Sequence, residues 1–266
     1  MLGWVALDKE LVIGFAGLYE EENRIIKLAH LLVDENYRGY HLGSLLETKR
    51  EDYYQKIESG IILASCVDTP PQSMFLKKKH GFHFLGARVN YRPSPLHRGH
   101  SILMGKYNRD IKQEYLETPS DVTRKIIYSR CLSLECTRVF VKKKATQQGA
   151  YAILTDDKLG RKTARFQNNK NSKCFSLLDA IENLKDGHLP YVSITVNAFQ
   201  EGFSKADSIL IENGFYPVIF LPNYNSDVDL LEYQYFGIAE KQEYESLIEK
   251  LKELQVYEDR IGVCAL

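Results

Sequence analysis

The sequence predicts an α/β protein in two units, each a mixed central sheet flanked by helices. Three observations carry this. Strand-like and helix-like patterns alternate through roughly the first hundred residues. The segment GIILASCV, 60–67, is almost wholly apolar, the pattern of a strand covered on both faces. The order strand, helix, strand, strand over 61–107 returns over 190–236, and the two helices end alike, in LKKKHGFHFLGA and LIENGFYPVIFL.

GWVALD and LVIGFAGLYE, turning at Asp8–Glu10, form an antiparallel hairpin, and RIIKLAHLLVD is the third strand. A helix over 42–56 puts Leu42, Leu45, Leu46 and Tyr53 at helical spacing. Pro70 and Pro71 open a helix over 72–79 that Gly81 closes. HFLGARVNYR and HSILMGKY follow as strands joined by PSPLHRG. Residues 109–137 read as polar helix interrupted at Pro119-Ser120-Asp121, with RVFVKKK and GAYAILTDD as a hairpin. FSLLDAIENLKDG is an amphipathic helix, LPYVSITVNA a strand, 202–212 a helix, and GFYPVIFLP and DLLEYQYF strands. A closing helix over 238–255 aligns Tyr244, Leu247, Ile248, Leu251 and Leu254 in one apolar stripe. The character changes at Asn108, so the units are 1–108 and 109–266.

A length of 266 residues suits two ordinary domains, and 44% hydrophobic with 26% charged residues argues against disorder. Thirty-five basic residues balance 35 acidic ones, leaving no global field to draw in nucleic acid or an acidic membrane. No apolar run approaches the ~20 residues that span a bilayer, and the N-terminus lacks a basic head before an apolar stretch. The five cysteines, at 66, 131, 136, 174 and 264, form no C-x-x-C pair and read as reduced thiols. A cytoplasmic location is the expectation. His97 and His100 in HRGH lack a third ligand in view, so no metal is expected. Lysine runs at 77–79 and 142–144 read as solvated faces, the first near enough to the turn described next to assist an anion.

The stretch from Val33 to Tyr54 carries the chemistry. A strand that turns tightly into a helix start leaves backbone N–H groups without partners beside the positive end of the helix dipole, a ready cradle for phosphate. Gly39 and Gly43 let a ligand approach the backbone, and Arg38 adds a forked donor. Leu31-Leu32-Val33-Asp34-Glu35-Asn36-Tyr37-Arg38-Gly39-Tyr40-His41-Leu42-Gly43, followed by Ser44-Leu45-Leu46, resembles the phosphate-binding signature of the GCN5-related N-acetyltransferases, L-x-V-x-P-x-x-R-G-x-G-x-G. The hairpin before it and the strand, helix, Gly-Phe and two strands after it agree, so the resemblance covers about residues 3–107. Glu35 stands where the family has proline and His41 where it has the middle glycine.

The resemblance implies tandem folds of this family and an acyltransferase that moves an acyl group from acetyl coenzyme A, or another acyl form, to an amine. It assigns the pyrophosphate to Arg38, Gly39, Tyr40, His41, Leu42, Gly43 and Ser44, and the thioester to the backbone of Leu31, Leu32 and Val33. Lys77 stands where the family often has a tyrosine that protonates the leaving thiolate. From the residues themselves, His30 is the natural base, or a core histidine beside leucines, and Cys66 a small core residue or a nucleophile near the thioester. The acceptor is a small-molecule or carrier-bound amine. The family's opening strand and two helices usually wall the acceptor site and are not seen before the hairpin; if the sequence is complete, residues 109–137 or a second copy in a homodimer are expected to replace them. The second unit reads as a degenerate copy lacking the phosphate turn, with Asn197 at a position such enzymes use. The alternative is a noncatalytic module that binds coenzyme A or phosphopantetheine and acts through a partner.

Overall fold

In a computed structural model, residues 1–21, 25–56, 60–93, 99–108, 111, 114–141, 150–167, 175–187, 189–225 and 228–256 are described. Eleven strands form one sheet. The first part holds β1 (Leu2–Asp8), β2 (Leu11–Glu21), β3 (Ile25–Val33), α1 (Leu42–Tyr54), β4 (Ile61–Cys66), α2 (Gln72–Lys79), β5 (His83–Arg92) and β6 (Gly99–Tyr107). The second holds β7 (Glu114–Glu117), α3 (Asp121–Ser133), β8 (Arg138–Val141), β9 (Ala150–Asp156), β10 (Arg161–Gln167) and α4 (Leu177–Lys185). It continues with β11 (Tyr191–Asn197), α5 (Phe203–Glu212), β12 (Phe215–Asn225), β13 (Val228–Tyr235) and α6 (Ile238–Glu253).

The strand order is β1-β2-β3-β4-β6-β5-β12-β13-β11-β10-β9. Read inward from its two ends, the sheet repeats itself: β10 runs parallel to β11 as β3 does to β4, and β12 and β13 swap places as β5 and β6 do. The halves join where Gly86 of β5 pairs with Ile219 of β12. Each lies five residues beyond the glycine of its own Gly-Phe pair, so equivalent positions meet. Gly86 is required there, because a Cβ would sit 2.1 Å from the Val218 carbonyl oxygen.

Side-chain contacts link the helices into one layer. Lys77 of α2 meets Glu47 of α1, and Lys250 of α6 reaches Thr69 just before α2. Arg130 of α3 shares a pocket with Tyr244 of α6, and Asp207 of α5 bonds Thr123 of α3. Strand neighbours alternate between faces. Ile194 and Val196 pack in the core with α4 and α5, while Thr195 between them lines a cavity on the other face.

Two expectations fail in the linker. Residues 114–117 are strand, not helix, with Leu116 buried and the Glu117 carboxylate capping the start of α5 through Gly202 N and Ser204 N at 2.9 and 3.0 Å. The segment RVFV pairs with this strand in parallel and not with β9, whose partner is β10. A local hairpin yields here to a buried ion pair: Arg138 holds Asp229 of β13 through two bonds of 2.7 and 3.0 Å. The lysine run 142–144 lies outside the described residues. Among the described residues no helix is long and apolar enough to cross a membrane.

Candidate functional site

The site begins with an irregularity in β3. Phe15 pairs with Leu32 and Gly17 with Ala29, so His30 and Leu31 together oppose Ala16. This bulge puts His30 at φ 49°. On its other side β3 pairs with β4 only from Ile25–Ile61 to Leu28–Ala64, although β4 continues along β6 to Cys66–Ile102. Beyond Leu28 the two parallel strands part, and the edge of β3 from Ala29 to Val33 is open on the β4 side.

At the end of that edge lies the turn. Asp34 N bonds Ile13 O at 2.9 Å, and the Tyr37 hydroxyl donates to Asp8 Oδ2 at 2.8 Å, fixing the turn to the β1–β2 hairpin. Gly39 takes φ +87° and His41 φ 60°, which reverses the chain into α1. His41 occupies the N-cap but gives no side-chain cap, and the first bond into the helix is Leu45 N to His41 O. Among the described residues, no protein acceptor meets the amides of Gly39, Tyr40, His41, Leu42, Gly43 and Ser44. A Cβ on Gly39 would touch nothing within 4 Å, so the cradle is open. Arg38 is exposed beside it. By contrast, Ser120 and Ser176 cap α3 and α4 by accepting from Thr123 N and Asp179 N, which uses up donors that α1 leaves free.

Behind the turn, α1 and α2 enclose a charged cluster. Glu47 and Arg50 are 0% and 1% exposed and bond each other, and Lys77 Nζ lies 2.5 Å from Glu47 Oε2. Arg50 also donates to the carbonyls of Gly17 and Ala29 at 3.1 and 3.2 Å, the register pair at one end of the bulge. Burial pulls the Lys77 ammonium down to about 8, against the opposing pull of Glu47. Cys66 is buried close by, and burial raises its thiol, an effect Lys77 only partly offsets.

A strand that parts from its parallel neighbour, a positive-φ glycine turn and an uncapped helix start together make a cleft with an anion cradle at its end. The family model described as the acetyltransferase (GNAT) family matches residues 1–82, the stretch that holds these features. This part of the chain belongs to the GNAT family. It is of the GNAT type of N-acetyltransferase, a family that uses acetyl coenzyme A and acts on amines. The chain is also similar to solved structures. The ribosomal-protein-S18-alanine N-acetyltransferase of Escherichia coli is 21% identical, over 40% of this chain and 68% of that one, with TM-score 0.37. The ribosomal-protein-alanine N-acetyltransferase of Brucella melitensis is 19% identical, over 40% and 67%, with TM-score 0.37. A GNAT-family acetyltransferase of Streptococcus pneumoniae is 19% identical, over 40% and 65%, with TM-score 0.37. No curated protein matches the chain.

The GNAT cleft opens onto a cavity of about 510 Å3 on the sheet face away from the helices. Leu28, Leu63 and Ser65 bring the parted strands to its wall, and the second part of the chain supplies Ile219, Leu221, Leu230 and Glu232. Arg88 crosses between the parts with a forked pair to Glu232, at 2.7 and 2.6 Å, and the Tyr191 hydroxyl donates to the same carboxylate. Burial pushes Glu232 up, but Arg88 and Tyr191 outweigh it and hold the carboxyl below its ordinary range.

The predicted residues fall in three places. Arg38 to Ser44 form the turn, with Leu31, Leu32 and Val33 leading into it. Lys77 is not on a solvated face: it is 4% exposed, beside Cys66. His30 is exposed instead of packed among leucines, and it meets the Tyr19 hydroxyl at 3.3 Å, where Tyr19 lines the cavity. Asn197 is spent locally, accepting from Phe199 N at 2.9 Å. His100 faces Glu243 at 3.6 Å, and His97 lies outside the described residues. Among the described residues no group of three or more His, Cys, Asp or Glu could hold a metal. The described residues of 109–137 do not wall the cavity: α3 packs in the helix layer on the opposite face. Glu47, Arg50, Arg88 and Glu232 were not anticipated. The i,i+3 spacing of Glu47 and Arg50 reads as a surface pair, and Arg88 and Glu232 are 144 residues apart.

Proposed function

We propose that residues 1–108 bind acetyl coenzyme A, or another acyl coenzyme A, and pass its acyl group to an amine lying in the cavity shared with residues 109–266, a degenerate second copy of the fold. One observation carries this reading: six consecutive amides without protein acceptors stand at an uncapped helix start, at the end of a strand edge left open by its neighbour. The amides and Arg38 meet the requirements of a diphosphate, and the open edge from Ala29 to Val33 offers backbone donors to a thioester oxygen as charge develops on it. The second copy has the repeated strand order, and its counterpart of α1, helix α4, is closed by Ser176.

The amine nitrogen attacks the thioester carbon, a C–N bond forms, the C–S bond breaks, and the thiolate takes a proton. Lys77 is the proton donor in this reading, since an ammonium at about 8 is matched to a thiol near ~8.5. His30, tied to Tyr19 at the cavity wall, is the base that receives the amine proton. Cys66, a buried neutral thiol, serves as wall. The noncatalytic reading draws support from Lys77 being held by Glu47 at 2.5 Å.

Thiol release from acetyl coenzyme A across a panel of primary amines, alongside calorimetric binding of coenzyme A, tests both. Arg38→Ala should weaken coenzyme binding roughly tenfold or more by removing a charge-assisted contact, with folding unchanged. Unchanged affinity removes the turn from the site, and binding without turnover on any amine favours the noncatalytic module.

A further inference from the structure

The chain as a whole is neutral, yet one side of the shared cavity is not. Arg88 of β5 and Arg165 of β10 line it, while Arg92 of β5 and Arg161 of β10 stand on the same two strands outside its lining. Arg161 stacks over the Tyr91 ring at 3.7 Å from its centre and donates to Tyr91 O at 2.8 Å, which brings the two strands together though they are not neighbours in the sheet. Among the described residues, Glu232 alone gives any of these four guanidinium groups a carboxylate, and it is committed to Arg88 and Tyr191. Arg92 donates to Ser65 O and Oγ, both at 2.9 Å, while its Nε is buried without a partner, and burial pulls its pKa down. Arg165 lines the cavity, is exposed, and has no ion pair among the described residues. The remaining cation of the wall, Lys27, is already paired with Glu21 at 2.7 Å.

Glu21 and Glu232 answer Lys27 and Arg88, so among the described lining residues Arg165 is the cation left for a negative group to join. The same lining includes the parted strands' Leu28 and Ser65 and the apolar side chains of Leu63, Leu103, Ile219, Leu221 and Leu230. Resting on the reading above, we propose that the acceptor is an amine joined through an apolar spacer to an anionic group, that the second part of the chain recognises this group, and that Arg165 is a specificity-determining residue.

The test compares ω-aminohexanoate and ω-aminooctanoate with hexylamine and octylamine as acceptors for the full chain, using kcat/KM by thiol release. The carboxylates should be preferred by roughly tenfold or more, the usual size of a charge-assisted hydrogen bond. Arg165→Gln should abolish the preference through KM, leaving hexylamine turnover unchanged. Arg165→Glu should invert it toward diaminohexane, which mere loss of structure would not do. Direct calorimetric binding of ω-aminooctanoate reads the cavity independently of catalysis: wild type binds, and Arg165→Gln binds at least tenfold more weakly. Equal kcat/KM for the two series, no binding of ω-aminooctanoate, or equal binding by Arg165→Gln and wild type overturns the assignment. Coenzyme A affinity, measured in parallel on Arg38→Ala and Arg165→Gln, separates this failure from failure of the phosphate turn, because only the first variant should lose it.

Discussion

Replacing Gly86 by alanine tests the junction between the two halves with one methyl group. The added Cβ would stand 2.1 Å from Val218 O, 2.6 Å from Ile219 Cγ1 and 2.7 Å from Ile219 Cα, all below the 3.0 Å that real Cβ atoms respect. Two of the three neighbours are backbone, so no rotamer change relieves the collision. One strand must move by roughly 1 Å, and the register pair Gly86–Ile219 that joins β5 to β12 must open. Overpacking of this kind costs ~1–3 kcal/mol. The loss of one or two backbone hydrogen bonds adds ~0.5–1.5 kcal/mol each. The expected destabilisation is about 2–5 kcal/mol, a large share of the ~5–15 kcal/mol that holds a typical fold. Urea denaturation would measure it by two probes: far-ultraviolet circular dichroism for the whole chain, and fluorescence of Trp4, the single tryptophan, which packs edge-on against Tyr53 in the first half. Both midpoints should fall. A change below ~0.5 kcal/mol, the range of ordinary surface substitutions, would refute the claim that the halves meet in tight backbone contact.

Four further outcomes follow from the site. With Lys77 as proton donor, kcat should fall as pH rises through about 8, and Lys77→Arg should remove that limb while Lys77→Met lowers kcat roughly 100-fold; a pH profile identical in all three proteins excludes the role. The same depressed value means that the unfolded chain binds more protons above about 8, so this residue makes stability rise with pH from there to its ordinary value of 10.5, a slope that Lys77→Met should flatten in pH-dependent denaturation. Glu47→Gln leaves Arg50 and Lys77 buried without their carboxylate and should cost about 3–5 kcal/mol in urea denaturation, against no loss if the cluster is solvated. His41→Gly should keep or improve coenzyme A affinity in calorimetry, since the residue already adopts the left-handed conformation glycine prefers; a tenfold loss would make the imidazole a direct ligand.

What the sequence made legible was local. The α2 helix over Gln72–Lys79 and strand β5 over His83–Arg92 appear at the expected residues, because prolines, a glycine and apolar periodicity mark their ends. The turn before α1 was legible for the same reason: it is a backbone feature, and glycines announce it. Long-range pairings left no such mark. Strand β7 has little local signal, because its place depends on Glu117 reaching the start of α5, 85 residues later. Lys77 reads as one lysine in a run of three, and only the fold of α1 against α2 takes it out of water. Gly86 was visible as a glycine inside a strand, a hint of close approach, but not what approaches.

The pairing of like with like at Gly86 and Ile219 has a consequence for symmetry. A contact in which corresponding points of two similar bodies touch is the kind two free subunits make in a twofold dimer. Carried on one polypeptide, such a contact no longer depends on concentration, and the partners no longer need to stay alike. On the proposed reading, one keeps its helix mouth bare for a phosphate while the other seals its own with Ser176 and contributes Arg165 to the common hollow. A catalytic arm served by a specialised companion, as proposed above, is an arrangement that covalent linkage permits and an identical pair cannot reach.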